Sequence, residues 1–285
     1  MQHLLSVNDM SEDFIIEIWK DSLKNKGNPS NILKGKILTN LFYEPSTRTS
    51  SSFYSAMVRK GGSVIPINNV KFSSVTKGES LEDTIIAMSN LSDCIVLRHP
   101  EIGAATRASK VSSVPIINGG DGEGEHPTQT LLDGFTIFSN NDLSLDNLTI
   151  TFIGDLKNGR TVKSLVKLLS RYKNNKFNFV SPENLRIPEE IRPKGCFETN
   201  NIDEVLERTD ILYVTRVQVE RGSSHDYALS IDQLNRLGNK SIVMHPLPRV
   251  NEIPTEFDQD SRAKYFDQMK HGLWCRMSLL EKILS

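Results

Sequence analysis

The stretch FYEPSTRT, at residues 42–49, is the strongest indication of the fold in this chain. It follows the run KILTNL (36–41), which is apolar and typical of a strand. It precedes the run SFYSAMVRK (52–60), which is typical of a helix and stops at two glycines. Further apolar runs alternate with helix-like segments along the rest of the chain. That alternation predicts an α/β fold with mostly parallel sheets.

The same stretch has the composition of an anion-binding turn. The first turn of a helix has unpaired N–H groups, and the helix dipole there favours negative charge. Ser46, Thr47 and Thr49 add hydroxyl donors, and the planar guanidinium of Arg48 suits phosphate oxygens. An ordinary Ser/Thr helix cap beside a surface arginine is the simpler alternative. Four consecutive donors after a buried strand favour a phosphate site.

The length of 285 residues favours two domains of ordinary size. We place the domain change near residue 131, where a second series of strands and helices follows. The glycine-rich segment 119–124 is predicted to lack regular structure. The predicted organisation is α/β, with two domains that are each a mostly parallel sheet flanked by helices: residues 1–130, with a C-terminal helix (270–285) packed back on them, and residues 131–269.

Composition excludes several classes of protein. A net charge of −1 argues against broad attraction to nucleic acid or to an anionic membrane. No apolar run approaches the ~20 residues of a membrane span, and the N-terminus does not resemble a signal peptide. Cys94, Cys196 and Cys275 are widely spaced and odd in number, as is typical of reduced thiols. We therefore expect a cytoplasmic protein that binds neither nucleic acid nor a membrane.

Basic or amide side chains follow most of the predicted strands. The ends of strands are where open α/β sheets bind ligands, so these groups are candidates for one anionic site. The histidine of the motif HPTQ (126–129) could donate to an oxygen on which negative charge develops. Loop polarity would explain any one of these groups, but rarely the whole set: Arg98, His126, Gln129, Arg160, Arg216, Gln218 and the HPLPR segment at 245–249.

Other kinds of chemistry lack the residues they require. The turn at 155–161 lacks the G-x-G-x-x-G pattern of a nicotinamide site. The six histidines form no close metal-binding pattern, and Ser46 has no His/Asp partner by motif. We expect neither a metal nor a cofactor. Donors and cations suit an enzyme that binds two polyanionic substrates and stabilises charge on a transferring group.

At full length, the ordered set of motifs resembles the catalytic chain of the aspartate carbamoyltransferase family. Ornithine carbamoyltransferases share the STRT turn but typically have cysteine at the positions of Thr128 and Pro246, so the resemblance favours aspartate as the acceptor. The matching motifs are FYEPSTRT, SSVTKGESLEDT, VLRHP, HPTQTLLD, GDLKNGRTVKSL, TRVQVER and HPLPRVNEI.

The resemblance implies transfer of the carbamoyl group of carbamoyl phosphate to the amine of L-aspartate. The products would be N-carbamoyl-L-aspartate and phosphate, in the second step of de novo pyrimidine biosynthesis. No cofactor is implied. The family is trimeric with active sites shared between neighbouring chains, which implies a homotrimer and leaves room for a regulatory or biosynthetic partner chain.

The resemblance also assigns roles to residues of the first domain. Arg48, Thr49 and His126 would polarise the carbamoyl oxygen, and Gln129 would bind the carbamoyl amide. Glu44 matches a carboxylate that bridges arginines of both domains on closure, with Arg221 as its partner. The residues that would bind carbamoyl phosphate are Ser46, Thr47, Arg48, Thr49, Arg98, His126, Gln129, Leu247 and Pro248.

A second set of residues would bind aspartate. Arg160, Arg216 and Gln218 would grip its two carboxylates and orient its amine, and the Leu247 backbone would contact both amines. Lys77, with catalytic and aspartate-binding roles, and Ser73 match positions that the family supplies from the neighbouring chain.

The chain departs from the family pattern in two respects. Ser50 and Tyr54 stand where many relatives have Arg and Glu, and the segment 221–231 is shorter than in the best-known bacterial relatives.

The motifs leave two alternative functions. One alternative is a carbamoyltransferase acting on ornithine or a modified amino acid. The other is a non-catalytic paralogue, which would usually have lost charged site residues, whereas every matched motif here keeps its donors.

Overall fold

The computed structural model describes residues 3–68, 78–216 and 228–285. The chain divides into two compact units, which are residues 1–132 with 271–285 (the first unit) and residues 133–270 (the second unit). Each unit is built on a parallel sheet flanked by helices, so the predicted α/β class is confirmed. Within the described residues, no helix combines the length and the apolarity needed to cross a bilayer.

The sheet of the first unit has the strand order β2-β1-β3-β4, and every pair in it is parallel. Leu4 forms a further parallel bridge with Ile117, so the N-terminal segment covers the outer side of β4. The elements of this part of the chain are α1 (Glu12–Asn25), β1 (Ile37–Phe42), α2 (Thr47–Arg59), β2 (Ser63–Ile67), α3 (Leu81–Ser89), β3 (Cys94–His99), α4 (Ala104–Val111), β4 (Ile116–Asp121) and α5 (Pro127–Asn140).

The first unit has its core between this sheet and its helices. On α2, Phe53 and Met57 are fully buried, four residues apart as one face of a helix requires. Leu41, Ile85 and Leu97 belong to a further apolar cluster beside α3 and α4. Burying each large apolar side chain contributes about 1.5–3 kcal/mol, so these contacts hold α2 and the strands firmly in place.

The first half of the glycine-rich segment 119–124 belongs to a strand. The prediction that residues 119–121 lack regular structure was therefore wrong. Strand β4 continues through Gly119 and Gly120 to Asp121. A Cβ atom on Gly119 would lie 3.1 Å from Val96 Cγ1 and 3.3 Å from the Leu97 carbonyl oxygen. Glycine is used here because β3 approaches closely, which the composition alone does not distinguish from a turn.

The C-terminal helix α8 (Tyr265–Leu284) packs on the helices of the first unit, as predicted, although it begins earlier than expected. Arg276 Nη1 donates to Ser52 Oγ of α2 over 3.0 Å, and its guanidinium lies 5.1 Å from the centre of the Phe53 ring. The buried Lys60, at the end of α2, forms an ion pair with Glu281. Helix α8 therefore fixes the position of α2.

The second unit has the strand order β7-β6-β5-β8-β9, again with every pair parallel. Strand β7 was not predicted, because it has only three residues and none of them is fully buried. The elements that complete the chain are β5 (Thr149–Ile153), α6 (Arg160–Leu169), β6 (Lys176–Val180), β7 (Phe197–Thr199), β8 (Ile211–Val214), α7 (Ile231–Asn235) and β9 (Ile242–Met244).

The three cysteines are free thiols, as the spacing predicts. Cys94 and Cys275 are buried, and Cys196 is partly exposed. Burial raises the pKa of Cys94 far above its ordinary value, which makes this thiol unreactive.

His99 closes strand β3 with a nearly buried imidazole. Its ring centre lies 4.6 Å from that of Tyr43, and its Nδ1 accepts a hydrogen bond from the Glu101 N–H over 3.1 Å. Burial away from water lowers the pKa of His99 below its ordinary value. The imidazole is therefore neutral in the folded protein at neutral pH.

Alanine at Gly122 should destabilise the protein more than alanine at Gly35. Both glycines have positive φ, +51° and +85°, so each substitution carries a backbone cost of about 1 kcal/mol. A Cβ at Gly122 would lie 2.3 Å from the Pro100 carbonyl oxygen, whereas nothing lies within 4 Å of one at Gly35. We expect Gly122→Ala to lower the free energy of unfolding in urea by at least ~2 kcal/mol more than Gly35→Ala. Equal losses would contradict this.

Acid should destabilise the wild-type protein through His99. The unfolded chain binds a proton at a higher pH than the folded protein does, since the folded pKa lies below 6.5. The stabilisation by neutral His99 is therefore complete above about pH 6.5 and is lost as the pH falls below it. His99→Asn keeps an acceptor but does not titrate, so its Tm should fall less between about pH 7.5 and pH 5.5. Scanning calorimetry showing equal falls would refute this account.

Candidate active site

The N-terminus of α2 is arranged to bind an anion. Strand β1 ends at Phe42, and Ser46 occupies the N-cap position with an extended backbone. The Ser46 side chain makes no capping hydrogen bond, and the first turn of α2 contains no acidic residue. Its leading N–H groups therefore receive neither a capping oxygen nor a carboxylate from this turn. An incoming anion would satisfy them and would be stabilised by the helix dipole.

Two arginines add positive charge at this turn. Arg98 is the register partner of Phe42 on the neighbouring strand, so β3 brings it beside the end of β1. Partial burial and then the nearby charge of Arg98 lower the pKa of Arg48. Burial also lowers the pKa of Arg98, opposed by Glu44, whose Oε2 lies 3.2 Å from Arg98 Nε. Two guanidinium groups thus lie near each other, and an anion between them would relieve their repulsion.

His126 lies beside the same helix start. Its Nε2 is 3.5 Å from Thr49 Oγ1, and its Nδ1 is 3.5 Å from Thr128 Oγ1. The side chain is buried, with 4% of its surface exposed. Pro127 begins α5 immediately afterwards, and the His126 carbonyl accepts from the Gln129 N–H over 2.9 Å. The imidazole is therefore held in place, and half-buried Gln129 follows on the first turn of the helix.

Glu125 ties the loop before His126 to the N-terminal segment, and the sequence did not single it out. Its carboxylate accepts from Ser6 Oγ over 3.0 Å and from the Val7 N–H over 2.8 Å. The Glu125 N–H in turn donates to Asp121 Oδ1 over 2.8 Å. No local pattern could have revealed this role, because its partners are 118 and 119 residues away.

Ser50, at one of the two positions that depart from the family pattern, makes neutral hydrogen bonds near the turn. Its hydroxyl is 2.7 Å from Asn68 Oδ1, and its carbonyl accepts from Asn40 Nδ2 over 3.0 Å. Tyr54, at the other departing position, is 47% exposed. The helix start in this chain is thus held by polar contacts of uncharged groups.

In the second unit, two arginines follow neighbouring parallel strands. Arg160 begins α6 after β5, and Arg216 follows β8; both side chains are half-buried. Gly154 has φ +119°, and a Cβ there would lie 2.4 Å from the Thr215 carbonyl oxygen. The two strand ends therefore approach closely. Since parallel neighbours end at the same edge of a sheet, Arg160 and Arg216 project from one edge.

The turn after β9 lies at that same edge. Leu247 has φ +54°, which is rare for a leucine, and the Leu247–Pro248 bond is cis. The Leu247 N–H donates to His245 Nδ1 over 2.8 Å. The histidine side chain therefore holds the turn that presents the Leu247 carbonyl.

The structure groups most of the predicted site residues within their own units. The first unit brings together the residues from Ser46 to Thr49 with Arg98 and His126, and Glu44 pairs with Arg98. The second unit gathers Arg160, Arg216, Leu247 and Pro248 at one sheet edge. Within the described ranges, no three metal-ligating side chains lie close enough together to hold an ion. Four predicted residues lie outside the described residues, namely Ser73, Lys77, Gln218 and Arg221.

Two family models match nearly the whole chain. Residues 2–139 match the carbamoyl-P binding domain of aspartate/ornithine carbamoyltransferases, and residues 146–283 match their Asp/Orn binding domain. The aspartate carbamoyltransferase catalytic subunit of Clostridium botulinum is 46% identical, over 99% of this chain and 98% of its own length.

Solved structures agree with these matches. Aspartate transcarbamoylase from Trypanosoma cruzi, in complex with carbamoyl aspartate and phosphate, has a TM-score of 0.93 at 40% identity, covering 100% of this chain and 96% of its own. The catalytic subunit of the Methanocaldococcus jannaschii enzyme has a TM-score of 0.92 at 45% identity, with 99% and 98% covered. The chain therefore belongs to the aspartate/ornithine carbamoyltransferase family, and its full-length relatives place it among the aspartate carbamoyltransferases.

Proposed function

We propose that this chain catalyses the transfer of the carbamoyl group of carbamoyl phosphate to the amine of L-aspartate. The products are N-carbamoyl-L-aspartate and phosphate, and the reaction is the second step of de novo pyrimidine biosynthesis. The observation that carries this proposal is the start of α2, where two guanidinium groups and a helix N-terminus without an acidic residue lie beside a buried histidine. The relatives with 46% identity over their full length support the choice of reaction.

Carbamoyl phosphate binds to the first unit in this proposal. Its phosphate accepts hydrogen bonds from the N–H groups and hydroxyls of residues 46–49 and pairs with Arg48 and Arg98. His126, Arg48 and Thr49 point donors at the carbamoyl oxygen, while Gln129 binds the carbamoyl amide. The Thr49–His126 distance of 3.5 Å supports this assignment, because one oxygen can bridge donors so placed. Residues 1–130 with 270–285 thus form the carbamoyl phosphate-binding domain.

Aspartate binds to residues 131–269 in this proposal, with Arg160, Arg216 and Gln218 on its carboxylates. The common edge of β5 and β8 supports this role for the two arginines, because a dicarboxylate can engage both at once. The Leu247 carbonyl accepts from the aspartate amine. Lys77 and Ser73, which we assign to the neighbouring chain, complete the site.

The chemistry needs no nucleophilic side chain. The neutral amine of aspartate attacks the carbamoyl carbon, a C–N bond forms, and negative charge develops on the carbamoyl oxygen. The C–O bond to phosphate then breaks, phosphate leaves with the bonding electrons, and the proton that the amine loses ends on the phosphate. Orientation and fixed donors can supply most of the acceleration, because the donors meet the developing charge without reorganising.

We further propose that the chain acts in the cytoplasm as a homotrimer with shared active sites, and that Glu44 and Arg221 pair on closure. The relatives' names describe them as catalytic subunits, which supports an assembly. A regulatory or biosynthetic partner chain would join the same trimer.

The identity of the acceptor can be tested in one assay. Purified protein is given carbamoyl phosphate with aspartate and ornithine at equal concentration, and carbamoylaspartate and citrulline are quantified. We expect carbamoylaspartate as the main product, since two arginines at one sheet edge suit a dicarboxylate. Predominant citrulline would assign the chain to ornithine. Carbamoyl phosphate binding without either product would indicate a non-catalytic paralogue.

Arg48→Ala should lower kcat at least ~100-fold, which is the scale of losing one oxyanion donor. Arg107→Ala is the matched control, because Arg107 lies in the same unit but is exposed and pairs with Glu82 and Glu101. Removing such a surface arginine should change kcat by no more than about twofold. Steady-state kinetics of both variants decide the matter: near-normal turnover of Arg48→Ala would remove this residue from the proposed role.

A further inference from the structure

A buried chain of hydrogen bonds runs through the second unit and ends at the Leu247 turn. Asp133 accepts from the Tyr213 hydroxyl over 2.7 Å and from Gln268 Nε2 over 2.6 Å. Gln268 Oε1 accepts from the His245 N–H over 3.0 Å. His245 Nδ1 accepts from the Leu247 N–H over 2.8 Å. We call Asp133, Gln268 and His245 the relay.

The hydrogen bonds of the relay follow one another with matched donors and acceptors. Asp133 Oδ1 accepts from the NH₂ group of Gln268, so Oε1 of Gln268 faces the His245 N–H. His245 Nδ1 accepts from Leu247, so the proton of the neutral imidazole is on Nε2, which lies 3.7 Å from Glu252 Oε2. Burial raises the pKa of Tyr213 well above its ordinary value, so its hydroxyl remains a donor.

The relay is costly to bury, which argues that it has a role. Asp133 is 0% exposed, Gln268 2% and His245 1%. Buried polar groups lower stability unless they are paired, and apolar residues of the same size would fill the space at no such cost. What the relay adds is orientation, since it fixes both the main chain and the side chain of His245.

The backbone that the relay holds is itself unusual. Leu247 has φ +54°, a conformation that residues with a Cβ rarely adopt and that persists only when its surroundings impose it. The bond from the Leu247 N–H to His245 Nδ1 is the direct restraint. Gln268 sets the position of His245, and Asp133 sets the orientation of Gln268.

We propose that Asp133, Gln268 and His245 are positioning residues that hold the Leu247 carbonyl where the acceptor amine binds. The proposal rests on the proposed function at one point, which is the contact of the Leu247 backbone with the substrate amines. In this role the three residues need no contact with a reacting atom. They act through the geometry of the turn, so their removal should affect the acceptor more than the phosphate.

Gln268→Met tests this, because methionine has a similar length but offers no strong acceptor to the His245 N–H. We expect kcat to fall about 10- to 100-fold and KM for aspartate to rise, as when a substrate-positioning group is displaced. Inhibition by inorganic phosphate should stay within about twofold of wild type, because the phosphate residues belong to the first unit.

Thr209→Val is the matched control for a purely structural effect. The Thr209 hydroxyl is buried in the second unit, where it lies 2.6 Å from Thr151 Oγ1 and donates to the Val205 carbonyl over 2.7 Å. This variant also loses a buried hydrogen bond but does not touch the turn. We expect a lower Tm with unchanged kcat and unchanged KM for aspartate.

A reversed pair provides a rescue. Gln268→Glu alone sets two buried carboxylates against each other and should impair both stability and kcat. Adding Asp133→Asn supplies an NH₂ donor to the carboxylate introduced at position 268, leaves an oxygen for the Tyr213 hydroxyl, and keeps an acceptor for the His245 N–H. We expect the double variant to exceed Gln268→Glu in kcat by at least about 10-fold.

Two results would overturn the proposal. One is Gln268→Met with wild-type kcat and KM for aspartate, and the other is a double variant no better than Gln268→Glu. Amide hydrogen exchange at Leu247, expected to be faster in Gln268→Met, tests the relay without any turnover. A further outcome is that wild-type protein fails to carbamoylate aspartate while amide exchange at Leu247 is still faster in Gln268→Met. That result would refute the proposed function but would support the role of the relay in holding the Leu247 turn.

Discussion

The structure depends on one constraint, which is that parallel strands deliver all their carboxyl ends to the same edge of a sheet. In each unit this collects side chains that are far apart in sequence, such as Arg98 beside the turn at Ser46, and Arg160 beside Arg216. Helix N-termini lie at the same edge and add partial positive charge without any side chain. A chain with a net charge of −1 can thus bind strongly anionic substrates, because its positive charge is concentrated locally.

A feature could be predicted from the sequence when its interacting residues lie close together along the chain. The turn at residues 42–49 and its helix were predictable, because strand, donors and helix are contiguous. Arg98 and Arg216 were predictable as strand-end residues. Glu125 and the relay were not, since Asp133 and Gln268 are 135 residues apart and neither belongs to a local pattern. Gly119 was misread, because only the packed neighbour β3 reveals why glycine is needed.

The two units use different means to fix their functional groups. In the first unit, the donors come directly from the start of α2. Helix α8 holds α2 in place, through the contact of Arg276 with Ser52 and the ion pair of Glu281 with Lys60. In the second unit, the proposed acceptor is the carbonyl of Leu247, a residue in a rare conformation whose N–H donates to the buried His245. Both arrangements place the donors and acceptors before substrate arrives, which is the condition for electrostatic stabilisation of developing charge.

Helix α8 has a consequence for biosynthesis on the ribosome. The first unit is assembled from residues 1–132 and 271–285, whereas the second is one continuous segment. Synthesis runs from the N-terminus and domains fold as units, so the continuous segment can finish folding while the discontinuous one still waits for its last helix. The helix that starts at Thr47 gains its contacts with Arg276 and Glu281 only after the whole of the second unit has been synthesised. A nascent chain that stalls before these residues therefore lacks the final support of its anion site.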